Sequence, residues 1–201
     1  MRGETTSQVV IGPISWERMM NSVEEVRQRL LKATRALEDA GVPYAVIGGN
    51  AVAAWVSRVD VGSVRNTKDV DILIRRNDLP NCIQVMEAAG FTHEKSFGVD
   101  LFLDGPETKP SQAVHLLFAK EKVKESDATI TPDVTDSEQD VSFRIINLDA
   151  LVRMKLIANR DHDRTHLRDL LRIGLIDASW LQRVPPELTP RLQHVLDTPD
   201  G

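Results

Sequence analysis

The chain carries a single cysteine, Cys82, so no internal disulfide can form and a reducing compartment is the expected setting. Its place in a helical apolar pattern marks that thiol as core. Aromatic residues make up 4% of the sequence, too few for a base-stacking platform, and Trp16, Trp55 and Trp180 are scattered as buried anchors would be. Runs of about 18 apolar residues, the length a membrane helix needs, are absent. The opening MRGETTSQVVIGPIS has no charged start leading into an apolar stretch. A soluble, cytoplasmic protein with no membrane partner is therefore expected. Lys and Arg never gather into a tract, and a formal charge of −5 with a pI near 5.6 argues against general nucleic-acid binding.

What is present is enough apolar sequence in 201 residues for a sizeable core and one principal domain. Residues before Ser15 show no period and contain a Gly-Pro break, which predicts an arm or a short edge strand. Ser22 and Glu25 stand at capping-box spacing ahead of Val26, Leu30, Ala33 and Leu37, so a helix is predicted from Ser22 to the stop at Gly41 and Pro43. Tyr44 to Ile47 reads as a buried strand, Asn50 to Val56 as a short helix and Lys68 to Arg75 as a second strand. A helix over Asp78 to Ala89 follows, then strands Val99 to Leu103 and Ala113 to Ala119 that pair as a hairpin. The polar stretch from Glu121 to Asp140 predicts a surface connection and Val141 to Ile146 a last strand. The remainder reads as helices over Leu148 to Asn159, Thr165 to Ile173 and two shorter stretches ending at Leu196.

The chemistry concentrates between Tyr44 and Ile74. Asp69 and Asp71, one residue apart on a strand, share a face and can grip a divalent cation together, leaving Val70, Ile72 and Ile74 for the core. Thr67 falls on the acidic face, and Arg65 joins it if extended geometry reaches back that far, offering a guanidinium to phosphate. At the end of the preceding strand, Gly48 and Gly49 bare backbone N–H groups where a helix begins, which favours an anion. Asp-x-Asp alone is common on surface strands. Its coupling to the glycine pair is what suits a metal-bound triphosphate.

The run Gly48-Gly49-Asn50-Ala51, followed by Arg65-x-Thr67-x-Asp69-Val70-Asp71, resembles the nucleotidyltransferase superfamily typified by DNA polymerase beta. The spacing is most similar to its minimal members, the aminoglycoside and lincosamide nucleotidyltransferases and the AbiEii-type toxin nucleotidyltransferases. A second stretch, from Lys155, Ala158 and Arg160 through His166-Leu167-Arg168-Asp169-Leu170, is similar to the helical signature of the AbiEii-type group. The resemblance covers Tyr44 to Ile176 and implies an α+β fold, a small mixed β-sheet with helices on one side plus a helical C-terminal part. The division expected is a core over residues 1–147 and a C-terminal part over residues 148–201. The activity implied is transfer of a nucleoside monophosphate from an NTP to an acceptor hydroxyl on a small molecule, protein or RNA. Mg²⁺ is the implied cofactor, or Mn²⁺. Asp69 and Asp71 would hold the metal, and Gly48, Gly49, Asn50, Arg65, Thr67 and Lys155 would bind the nucleotide. An antitoxin or a second copy of this chain is the protein partner that the resemblance suggests.

In such enzymes a third carboxylate from a neighbouring strand completes the metal site, and the strand most like it here carries His115. Imidazole is a poor ligand for Mg²⁺ and a good one for Mn²⁺, Zn²⁺ or Fe²⁺. Four readings stand open. His115 replaces the carboxylate as ligand or base; Asp100 or Asp104 supplies it from the hairpin partner; the site is impaired and the protein is a nucleotide- or partner-binding module; or His115 is a hydrogen-bonded core residue.

Lys155 falls among Leu148, Leu151 and Val152 on the apolar side of its helix, where an ammonium needs an acidic partner or an anion. The resemblance favours a phosphate, or an ion pair near Asp69 and Asp71. His162 and His166 lie four apart, with Asp163 able to join them at a metal, whereas Arg160 and His166 have the spacing of the HEPN ribonuclease pair. The reading given most weight there is a charged turn between two helices, held by exposed ion pairs of about 0.2–1 kcal/mol each.

Overall fold

Strand β2 (Val70–Ile74) lies in the middle of the sheet, and its alternation sets the layers of the molecule. The computed structural model describes residue 12 and residues 15–201, and the arm or edge strand expected at the start lies outside them. Val70, Ile72 and Ile74 enter one core with α1 (Trp16–Asp39) and α3 (Leu79–Ala88). Leu73 enters a second core with α2 (Gly48–Ser57) and the C-terminal helices α4 (Leu148–Ala158), α5 (Asp161–Arg172) and α6 (Thr189–Asp197). The fold is α+β: a mixed seven-stranded sheet carries α1 and α3 on one side and α2 with the helical C-terminal part on the other.

The remaining strands are β1 (Tyr44–Ile47), β3 (Thr92–Ser96), β4 (Val99–Leu103), β5 (Val114–Phe118), β6 (Ser137–Gln139) and β7 (Arg144–Ile146), in the order β3-β4-β5-β2-β1-β7-β6. β2 runs antiparallel to β1 and parallel to β5. The four residues of β1 are all buried, as a strand covered on both faces must be. The hairpin expected of β4 and β5 forms, with Leu101 opposite His115 and Phe102 opposite Val114.

Several boundaries differ from expectation for identifiable reasons. Helix α1 starts at Trp16, because Ser15 supplies the cap: its hydroxyl accepts from the Arg18 N–H at 3.3 Å. Ser22 lies inside the helix and its hydroxyl donates to the Met19 carbonyl. Strand β2 begins at Val70, so Arg65 and Thr67 belong to the loop before it. Strands β3 and β6 escape a hydrophobic pattern because they are polar edge strands, THEKS and SEQ, and β6 pairs with β7 inside the stretch expected to be a surface connection. Trp180 is buried and the Trp55 indole N–H donates to the Ile146 carbonyl at 3.0 Å, but Trp16 is no anchor, being 76% exposed. Cys82 is core, and burial, with the Asp78 charge adding to it, pushes its thiol up to about 12. Among the described residues no helix is long and apolar enough to cross a membrane.

Because Ile72 is completely enclosed at the centre of β2, Ile72→Ala should lower stability to urea by about 2–5 kcal/mol through lost burial and a residual cavity. Val141→Ala, at a position 98% exposed, should change it by less than about 0.5 kcal/mol in the same titration.

Candidate active site

The strand registers place Ile47 opposite Asp71 and Asp71 opposite His115, so three neighbouring strands deliver one row of groups to the α2 side of the sheet. Gly48 follows at the turn from β1 into α2 with φ +68°, and a Cβ there would sit 1.9 Å from Asp71 Oδ2. Only glycine lets the helix start come so near the carboxylate. Gly49 permits a second approach, since its Cβ would stand 2.9 Å from Thr67 Cβ and Oγ1. The Thr67 hydroxyl donates to Asp69 Oδ1 at 2.7 Å, and the Asn50 amide donates to the Asp69 backbone carbonyl at 2.8 Å. The glycine pair, Asn50 and Thr67 thus fix the two aspartates.

Asp69, Asp71 and His115 offer ligand atoms within 4.8 Å of one another. His115 Nδ1 stands 3.8 Å from Asp69 Oδ2 and 3.7 Å from Asp71 Oδ1. Its other nitrogen, Nε2, lies 2.8 Å from the Pro110 carbonyl, which can only accept, so the proton of a neutral ring sits on Nε2 and the Nδ1 lone pair faces the carboxylates. Backbone orientation of a second ring nitrogen is the arrangement found behind metal-binding histidines. The Asp71 carboxylate raises the His115 pKa above that of a free imidazole, burial opposes it, and the Pro110 carbonyl and the Asp69 charge add to the rise. His115 is therefore no core histidine. Neither Asp100 nor Asp104 supplies a third carboxylate: Leu101 shares the His115 face, which sends Asp100 to the other. There Asp100 meets His93 Nε2 at 3.0 Å, while Asp104 pairs with Lys32 at 2.6 Å.

Around this centre the C-terminal helices contribute a buried charge network that the sequence reading did not assemble. Arg65 reaches Asp169 of α5 through Nε at 2.5 Å and Nη2 at 3.1 Å. Lys155, 5% exposed, finds the acidic partner its position demanded in Asp163, at 3.0 Å, rather than in Asp69 or Asp71. Asp163 caps the start of α5 by accepting from the Arg160 backbone N–H at 3.3 Å, and the Arg160 side chain donates to the same carboxylate through Nε at 2.7 Å. Burial is the largest influence on Asp163 and Arg160 and opposes both charges, but it is outweighed by their mutual contact together with Lys155 acting on Asp163 and the fields of Asp71 and Asp69 acting on Arg160. The signal for these pairs was the spacing of Asp163, His166 and Asp169, which puts them on one face of α5. Asp163 accepts from Lys155 and Arg160, His162 and His166 stack edge to face at 6.1 Å, and the candidate metal cluster among the described residues is Asp69, Asp71 and His115. The region is a charged helix junction, not a two-histidine metal site, and its key pair is buried rather than exposed.

A family model described as an uncharacterised nucleotidyltransferase matches residues 16–156, which take in β1, the glycine pair, both aspartates and His115. The chain belongs to this nucleotidyltransferase family. No curated protein sequence matches it. Among solved structures, this nucleotidyltransferase is similar to the antibiotic-resistance factor ANT(2'')-Ia in solution, at 13% identity and TM-score 0.52 over 88% of this chain and 93% of that one. It is similar also to JHP933 from Helicobacter pylori, at 17% identity and TM-score 0.50 over 92% and 76% of the two chains. These likenesses show a shared nucleotidyltransferase fold.

His166 is where pH acts on this network. Burial, with the Lys155 and His162 charges adding and Asp163 and Asp169 opposing, lowers its pKa from 6.5 to about 4. The unfolded chain takes up a proton on this ring below 6.5 while the native chain resists to about 4, so stability falls as pH drops through that window. The loss amounts to at most about 3 kcal/mol. His166→Leu should flatten the dependence of urea midpoint on pH between 6.5 and 4; an unchanged slope would show that His166 takes no part.

Proposed function

We propose that this nucleotidyltransferase moves a nucleoside monophosphate from an NTP to an acceptor hydroxyl on a small molecule, protein or RNA. The observation that carries the reading is the convergence of Asp69, Asp71 and the His115 Nδ1 lone pair beside the glycine-opened start of α2. The donor set fits a divalent cation: two carboxylates of a kind that suit Mg²⁺ and one imidazole that tilts preference toward Mn²⁺. A cation held by Asp69, Asp71 and His115 would offset the negative charge of the phosphates.

The chain's own groups supply the rest. The Gly48 and Gly49 approach lets phosphate oxygens meet backbone N–H groups at the α2 start, where the helix dipole favours them. The acceptor oxygen bonds to the α-phosphorus as the α-phosphorus–oxygen bond to the β-phosphate breaks, and pyrophosphate leaves with that electron pair. Asp71 takes the hydroxyl proton. Arg65 and Lys155, each held by an aspartate of α5, carry the positive charge near the phosphates in this reading. Thr67 and Asn50 hold Asp69 against the repulsion between the two acids. The reading also places the protein in the reducing cytoplasm, compatible with its one enclosed thiol, and keeps an antitoxin or a second copy of the chain as its protein partner.

Incubation with each α-labelled NTP and a cell extract as acceptor source should give labelled product and pyrophosphate with Mn²⁺ above Mg²⁺. Asp69→Asn/Asp71→Asn should reduce transfer by at least about a thousandfold, the scale of losing an essential electrostatic group. His115→Asp should reverse the metal preference toward Mg²⁺. Nucleotide binding without pyrophosphate release under either metal would instead support the binding-module reading.

A further inference from the structure

Arg65, Lys155 and Arg160 differ in how much hydrogen-bonding capacity they have left. Arg65 gives Nε and Nη2 to the Asp169 carboxylate. Lys155 is 5% exposed and its ammonium lies against Asp163. Arg160 is different: its side chain is 58% exposed, Nε donates to Asp163 Oδ2 at 2.7 Å, Nη2 reaches Oδ1 only at 3.5 Å, and Nη1 has no hydrogen-bond partner among the described residues. One edge of this guanidinium is anchored and the other is open.

Charge counting gives the open edge a direction. Asp163 is shared by two cations, Lys155 and Arg160, so this cluster holds one positive charge more than it has acids. Asp161 is matched by Arg164, His162 Nε2 at 3.6 Å from the Asp163 carboxylate can only add to the surplus, and His166, with its pKa lowered to about 4, is neutral at pH 7. Because Lys155 is enclosed, Arg160 is the group that presents the surplus. Helix α5 packs on α2 through Leu167 and Leu170 in the second core, and the Arg65–Asp169 pair fastens it to the loop that carries Thr67 and Asp69. Burial is the largest influence on the Arg160 charge, and after Asp163 the fields that favour it are those of Asp71 and Asp69. The exposed cation of the helix junction therefore lies within reach of the field of the candidate metal centre.

We propose that Arg160 grips the phosphate chain of the nucleotide through its open Nη1–Nη2 edge while Nε stays on Asp163. That the ligand is an NTP rests on the transfer reading above; the phosphate contact itself does not. A triphosphate carries more negative charge than one divalent cation offsets, and Arg160 supplies a donor that Arg65 and Lys155, both engaged by carboxylates, do not. The planar fork suits the task, since one edge can be fixed by an acid while the other meets two phosphate oxygens. Asp163 is then a positioning residue: it holds the plane of the guanidinium and acts on the nucleotide only through it.

Calorimetric titration of the whole chain with inorganic triphosphate in Mn²⁺, the part that every NTP shares, tests the contact. Arg160→Met should weaken binding at least tenfold, and Arg160→Lys less, because it keeps the charge and loses the fork. Arg183→Met removes the same charge from a surface pair with Asp149 and should leave binding as in wild type. Uptake of Mn²⁺ alone, followed by electron paramagnetic resonance, should be equal or tighter in Arg160→Met, since a positive charge near Asp69 and Asp71 is gone. A helix junction that had merely come apart would weaken it instead. Unchanged triphosphate affinity in Arg160→Met, a matching loss in Arg183→Met, no triphosphate binding by wild type, or weaker Mn²⁺ uptake by both Arg160→Met and Arg160→Lys would overturn the proposal. Triphosphate binding that depends on Arg160 without transfer of label from any NTP would sink the transfer reading alone, whereas transfer undiminished in Arg160→Met would sink this inference alone.

Discussion

The contact on which the site depends is the approach of Gly48 to Asp71. At φ +68° and without a Cβ, Gly48 turns β1 into α2 directly over the Asp71 carboxylate, where any side chain would collide with Oδ2. That turn sets the position of α2, and α2 lies between the sheet and the C-terminal helices in the second core. The register of β1 on β2 then fixes the glycine beside one aspartate, and the register of β2 on β5 brings His115 to the same row. A helix start, two acids and an imidazole are together because three strands are aligned, and the alignment is held by the apolar residues on both faces of β2.

Charge then links the site to the helical C-terminal part. Arg65, just before the acidic strand, is clasped by Asp169, and Lys155 and Arg160 converge on Asp163. Asp163 is completely enclosed, so its two cations do not compete with water for it. The Arg65–Asp169 pair ties α5 to the loop that carries Thr67 and Asp69, and the Lys155–Asp163 pair ties α4 to α5. In this arrangement α5 positions the loop before the acidic strand, besides covering the sheet.

Much of this was legible in the sequence, and the reason is local. The pattern of β2 and the glycine pair are short-range signals, and the apolar face of β2 followed from them directly; the α+β fold came with the family resemblance, which implied helices on one side of the sheet where the chain has them on both. The alignment of Asp71 with His115 followed less directly, since it needs the parallel pairing of strands separated by α3 and the β3–β4 hairpin. What escaped was long-range or polar. Edge strands β3 and β6 carry few apolar residues to betray them. The role of Pro110 in fixing the His115 tautomer depends on a turn geometry that no residue pattern encodes. The burial of Lys155 announced a missing acid, but the choice of Asp163 over Asp69 and Asp71 depends on how α5 folds back on α4.

The central claim is that Asp69, Asp71 and His115 form one divalent-cation centre. Electron paramagnetic resonance of free Mn²⁺, titrated with wild type, Asp69→Asn/Asp71→Asn and His115→Ala, tests it without assuming a substrate. The account predicts that wild type removes Mn²⁺ from the free pool stoichiometrically, that the double aspartate variant does not, and that His115→Ala binds more weakly. Equal Mn²⁺ uptake by wild type and the double variant would contradict it.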